Sequence, residues 1–171
     1  NNRNSSNMSY EVLKNEVGSR GIKGITLSKG SSMRLGKIYL DIVWPNAKSE
    51  SNNVNDDGVV TLLKYGQFKA LFTADVENEV SDLLSKEKSL ENVNYLKVNH
   101  HGSRNGLSQN LLDVLNPDIA VISCGKNNSY GHPHSEILKM LEEKKLKKTA
   151  EMDELKVLRT DQIGDVDYIV R

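Results

Sequence analysis

The sequence is short of several things, and each shortage removes a class of protein. One cysteine, Cys124, in 171 residues rules out an internal disulfide framework. No apolar run approaches the ~18–20 residues that a membrane-crossing helix requires, so the visible chain offers no bilayer contact of that kind. Lys plus Arg and Asp plus Glu both total 23, a formal charge of zero, and no global field draws the chain to nucleic acid or to an anionic membrane. Histidine is absent from residues 1–99; all four stand between His100 and His134. The chain opens without Met on the polar run Asn1–Ser9, which has no signal-peptide core. That run reads as a truncated or disordered segment ahead of a domain at 10–171.

What is present suffices for one domain with a real core, since 37% of the residues are hydrophobic. Tyr10, Val12, Leu13 and Val17 have helical spacing, Gly18–Lys23 break it, and the apolar stretch Ile22–Leu27 reads as a strand. Lys37–Trp44 is β-branched and aromatic and stops at Pro45, and the polar loop that follows, 46–57, is long enough to border a site. Val59–Tyr65 and Phe68–Thr73 flank Gly66-Gln67 as a hairpin. Val76, Val80, Leu83 and Leu84 then mark one face of a helix.

The unit repeats downstream: strand Val93–Val98, a His-rich turn, helix Leu107–Leu115, strand Asp118–Cys124, helix Ser135–Leu146, then β runs at Val157–Arg159 and Val166–Val170. Paired strands followed by β–α–β alternation predict an α/β sandwich with helices covering sheets.

Three strand exits carry catalytic side chains: Asp75, His100-His101 and His132. The carboxyl ends of strands are where open α/β sheets place ligands. Carboxylate oxygen together with imidazole nitrogen suits a divalent zinc or manganese ion. Each residue also has a plainer reading. Asp75 can cap a helix. The histidines of an adjacent pair point to opposite sides of a strand, so one at most enters a metal's coordination sphere unless the turn rotates both inward. His132, between Gly131 and Pro133, can be an ordinary turn residue. His134 and Ser135 read as helix caps, and Cys124, Trp44 and Tyr39 as core.

Three segments taken together are specific in order and spacing: Leu71-Phe72-Thr73-Ala74-Asp75, then Leu96-Lys97-Val98-Asn99-His100-His101-Gly102-Ser103, then Ser123-Cys124-Gly125-Lys126-Asn127-Asn128-Ser129-Tyr130-Gly131-His132-Pro133. They resemble the metallo-β-lactamase domain of the DNA-internalisation competence protein ComEC and its soluble relatives, a likeness that covers nearly everything after residue 10. The resemblance implies the C-terminal portion of an αββα sandwich. It makes Asp75 the carboxylate bridging two divalent ions, zinc or manganese, and one of His100 and His101 a further ligand. His132 would line the same cleft, holding a scissile phosphate or protonating a leaving group. The implied chemistry is metal-dependent hydrolysis of a phosphodiester, with DNA in competence as one setting. The implied location is either free-standing or part of a membrane-associated competence protein.

The sequence departs from the family in two ways. Ala74 and Asn99 stand where the family carries glycine. The family's His-x-His-x-Asp-His motif, which belongs to the first half of the fold, is absent. One Asp and one or two His cannot close a two-metal site, because catalytic zinc alone takes three protein ligands. The expectation is an incomplete site, inactive by itself, whose partner is the missing N-terminal half of the domain. The alternatives are a degenerate, non-enzymatic binding or scaffolding module, and a DNA-binding module using Lys97, Arg104 and Lys126.

Overall fold

Residues 8–47 and 53–170 are described by the computed structural model; most of the polar start and part of the 46–57 loop lie outside them. Helix α1 (Met8–Ser19) takes in Met8 and Ser9 and the predicted helical stretch, but none of its residues is buried. Seven strands follow in one mixed sheet whose spatial order is the chain order. β1 (Ser32–Leu35), β2 (Ile38–Trp44), β3 (Val60–Tyr65) and β4 (Phe68–Phe72) form an antiparallel meander. β5 (Tyr95–Lys97), β6 (Ile119–Ile122) and β7 (Lys156–Arg159) extend it in parallel.

Parallel neighbours need crossover connections. These are α2 (Asn78–Leu84), α3 (Gln109–Leu115) and α4 (Ser135–Ala150), with α5 (Thr160–Ile163) after β7. Their apolar stripes, Val80 and Leu84, Leu111, Leu112 and Leu115, and Ile137 and Leu141, meet Leu62, Leu71, Leu96 and Ile122 in a single core. Side chains alternate across a strand, so the same strands send a second apolar set to the opposite face. Ile38, Leu63, Phe68, Ala70, Phe72 and Tyr95 line an open groove of about 460 Å³ there. Val166, Tyr168 and Val170 of the tail also line this groove. The predicted α/β class holds, and the described residues supply one sheet and one helical layer of the expected αββα sandwich.

Three local expectations fail. Residues 22–27 form no strand, and Ile22 and Ile25 are exposed. Residues 166–170 join no ladder: Tyr168 stacks on Phe68 at 5.3 Å, so ring packing takes the place of backbone pairing. Tyr39 is exposed, with the Arg34 guanidinium 5.3 Å from its ring centroid, whereas Trp44 is core as predicted. One buried cation was not foreseen. Lys148 on α4 donates to the carbonyls of Pro117 (3.0 Å) and Asn116 (3.3 Å) and pairs with Asp153 at 2.9 Å. It thereby ties the end of α3 to the end of α4.

Candidate metal centre

The parallel strands end side by side, and the predicted residues follow from them. Thr73 Oγ1 donates to the Lys97 carbonyl (2.7 Å) and the His100 N–H to the Ala74 carbonyl (3.1 Å), binding the ends of β4 and β5 together. Asp75 does not cap α2, whose N-cap position is Glu77; its carboxylate is left for other work. Ala74 precedes it at φ +49°, a left-handed conformation that glycine adopts freely and alanine only at a cost of about 1–2 kcal/mol. The Ala74 methyl presses on Gly58, where a Cβ would lie 2.8 Å away. Asn99, the other departure from glycine, is fully buried and donates to Ser81 Oγ at 3.2 Å.

The alternation expected of the His pair does not operate, because both residues are left-handed, His100 at φ 44° and His101 at φ 55°. The turn rotates both rings toward His132, at centroid separations of 5.5 and 6.4 Å. Their ring nitrogens are then distinguished by partners. His101 Nδ1 lies 2.6 Å from the Ser123 carbonyl. A carbonyl only accepts, so Nδ1 carries a proton there, and Nε2 stands 3.4 Å from Asp75 Oδ1. His100 Nδ1 is buried without a hydrogen-bond partner, 3.6 Å from Glu77 Oε1. Glu77 is held in turn by Asn55 Nδ2 at 3.1 Å and, through its N–H, by Asp56 at 2.9 Å. The 46–57 loop therefore does border the site. Glu77 was missed in the sequence; its one signal was a second acid two residues after Asp75.

His132 is held in its turn by Asn128, which accepts its N–H at 3.0 Å and donates to its carbonyl at 2.6 Å. Burial and the neighbouring His134, His100 and His101 hold the His132 imidazole below its ordinary value, while Asp75 pulls it back up. The ring therefore loses its charge at a lower pH than a free imidazole does. In chelator, His134→Gln is expected to raise the His132 midpoint and Asp75→Asn to lower it further, as read by NMR titration of the imidazole protons. Shifts of the opposite signs would contradict this electrostatic picture.

His134 sits at the N-cap position of α4 but makes no side-chain cap; its Nδ1 accepts the Arg104 N–H at 3.0 Å instead. Arg104 pairs with Glu136 at 3.1 Å. Lys97 reaches Asp75 at 4.0 Å, and burial pushes its ammonium down despite that carboxylate. The Cys124 thiol is pushed up, by burial and then by Asp161. That keeps it a packing group, although it also lines a cavity of about 220 Å³ with His101 and His132.

Two ligands at ~2.0–2.1 Å from one tetrahedral ion stand about 3.4 Å apart, which is the His101 Nε2–Asp75 Oδ1 separation. An imidazole whose other nitrogen donates to a carbonyl is also the usual state of a metal-bound histidine. The pair fits a divalent ion. Among the described residues no group of three or more His, Cys, Asp or Glu converges on one point, so the pair supplies part of a coordination sphere.

No family model matches the chain. It is 28% identical over 142 residues to ComE operon protein 3 of Bacillus subtilis, covering 83% of this chain and 17% of that protein. Recombination protein 2 of Haemophilus influenzae is 32% identical over 87 residues, 51% of this chain and 11% of its own length. Competence protein ComA of Neisseria gonorrhoeae is 28% identical over 123 residues, 70% and 16%. The chain thus spans less than a fifth of the length of these relatives. Among solved structures, CmlA, a diiron β-hydroxylase from Streptomyces venezuelae, aligns with a TM-score of 0.51 at 11% identity over 86% of this chain and 35% of its own. A single-substitution variant of CmlA gives 0.56 at 13% identity over 86% and 34%.

In fold the chain is similar to these CmlA structures over most of its length. In sequence it is similar to a part of each of the three relatives named for competence or recombination.

Proposed function

We propose that this chain is the C-terminal portion of a metal-dependent hydrolase acting on phosphodiesters, with DNA handled during competence as the setting. The observation that carries the reading is the 3.4 Å approach of His101 Nε2 to Asp75 Oδ1 with Nδ1 already committed to Ser123. A divalent ion bound there, zinc or manganese, would supply hydroxide at neutral pH and neutralise developing charge. Asp75 and His101 are the chain's ligands. His132, facing the same space, donates a hydrogen bond to a non-bridging phosphate oxygen and so orients the phosphorus.

Two ions need more donors than Asp75, His100 and His101 provide. The proposed source is the other half of the sandwich, bearing His-x-His-x-Asp-His, which would dock on the open face at Leu63, Phe68, Phe72 and Tyr95. An apolar groove of about 460 Å³ supports that docking, since exposed apolar patches on a sheet mark a binding surface. Co-expression with such a half, or fusion to it, tests the reading. The expected result is hydrolysis of bis(p-nitrophenyl) phosphate with manganese or zinc, and no turnover above free metal for the chain alone. Turnover by the assembly that survives Asp75→Ala would overturn it.

The absence of a three-donor cluster among the described residues favours one other reading, a binding module without metal chemistry. Metal analysis of the assembled protein separates the two, since about two equivalents of zinc or manganese reject the module.

A further inference from the structure

The loop between β6 and α4 carries more than His132. Tyr130 is 77% exposed, yet its ring does not point away at random: it lies nearly parallel to His132, 5.7 Å between centroids and 22° between planes. His132 is in turn nearly parallel to His101, at 6.4 Å and 19°. Three rings therefore form a row that starts at the Asp75–His101 pair and ends in solvent at Tyr130. The loop is braced for this. Asn128 clamps His132 from both sides and donates to the Gly125 carbonyl at 2.9 Å, and Gly131 takes φ +71°, which lets the chain turn between the two rings. Tyr130 lines the 220 Å³ cavity together with His101, Cys124, Gly125, Asn128 and His132. Lys126, on the same loop, is exposed and has no ion-pair partner among the described residues.

We propose that this loop is a nucleobase subsite. The outer face of Tyr130 stacks the base that flanks the phosphate oriented by His132, and Lys126 meets the next phosphate. The inference rests on the phosphodiester reading and narrows it to single-stranded nucleic acid, because a base inside a duplex offers no free face to an exposed ring. A tyrosine lying parallel to the half-buried His132 ring offers its outer face as a platform with less freedom to lose when a base stacks on it.

Two labelled probes test the proposal in chelator, so that nothing is cleaved: a short oligothymidylate and an abasic oligomer with the same number of phosphates, each followed by fluorescence anisotropy. The unaltered chain is expected to bind the oligothymidylate more tightly. Tyr130→Ala should weaken that probe by about tenfold, in line with ~1–3 kcal/mol per stacked base, and leave the abasic probe unchanged. Tyr130→Phe, which keeps the ring, should behave as the unaltered chain, and Lys126→Ala should weaken both probes alike and reduce the salt slope by about one. Equal affinity for the two probes, or an equal loss on both in Tyr130→Ala, overturns the subsite and leaves the phosphodiester reading standing. Binding of neither probe also overturns the subsite, while the phosphodiester reading is decided separately by turnover of the assembled protein and its loss in Asp75→Ala.

Discussion

Replacing Asp75 by alanine is expected to lower the affinity of the site for manganese or zinc by at least a hundredfold. Loss of a group that only orients a ligand costs about 10–100-fold, and Asp75 is read here as a ligand itself, so the larger end of that range is a floor. The loss has a second source. His101 keeps Nδ1 on the Ser123 carbonyl, so its Nε2 remains aimed at the same point, but a lone imidazole holds a divalent ion weakly without the carboxylate's charge. Asp75→Asn keeps the shape and removes the charge, and it should fall close to alanine. Asp113→Ala, an exposed acid paired with Lys144 on the helical side at 3.4 Å, should bind metal as the unaltered chain does. Calorimetric titration of the three variants reads the difference, and equal affinities across them would end the assignment of Asp75.

The second large effect is on the scaffold. Gly102 takes φ +81°, and a Cβ there would lie 2.6 Å from Pro133 Cβ and 3.3 Å from Ile122 Cγ2. Neither neighbour can swing away, since one is a ring fused to the backbone and the other is fully buried. The Gly102 carbonyl also accepts the His134 N–H at 2.9 Å, so the His100-His101 turn and the His132 loop are joined at this point. Gly102→Ala is expected to cost about 2–4 kcal/mol from overpacking and left-handed strain. That corresponds to a fall in Tm on the order of 10 °C for a domain of this size. Gly125→Ala is the control: its nearest neighbour is 4.0 Å away and its φ is not left-handed, so it should melt within a degree or two of the unaltered chain. Indistinguishable melting of the two variants would show that the turn and the loop are not packed as described.

The β3–β4 hairpin was legible because its two apolar runs flank Gly66-Gln67, a turn that fixes their antiparallel pairing. The strand expected at 22–27 was not realised because apolar character alone does not supply a neighbour, and Ile22 and Ile25 remain in solvent. The run 166–170 has the alternation of a strand but lies over ring faces rather than beside a free edge, with Tyr168 on Phe68. For the site, the three motifs identified Asp75, His100, His101 and His132, and the structure brings them into one cluster. What pattern could not give was the direction of each ring. That depends on left-handed angles at Ala74, His100 and His101, which non-glycine residues adopt only when the surroundings force them. Glu77, signalled only as a second acid after Asp75, and the Ser123 carbonyl were missed for a related reason. One reaches the site from the N-cap of a helix and the other through its backbone, and neither belongs to a residue type that sequence reading singles out there.

In the proposed reading the ends of β4, β5 and β6 form part of a divalent metal site. Manganese added in small amounts to the isotopically labelled chain broadens NMR signals according to distance from the ion, and it does so even when binding is weak. The account predicts broadening centred on Asp75, His100, His101 and His132, removed by Asp75→Ala. Broadening centred instead on an exposed acidic surface such as Glu142 and Glu143 of α4, or broadening at the strand ends that persists without Asp75, would contradict it.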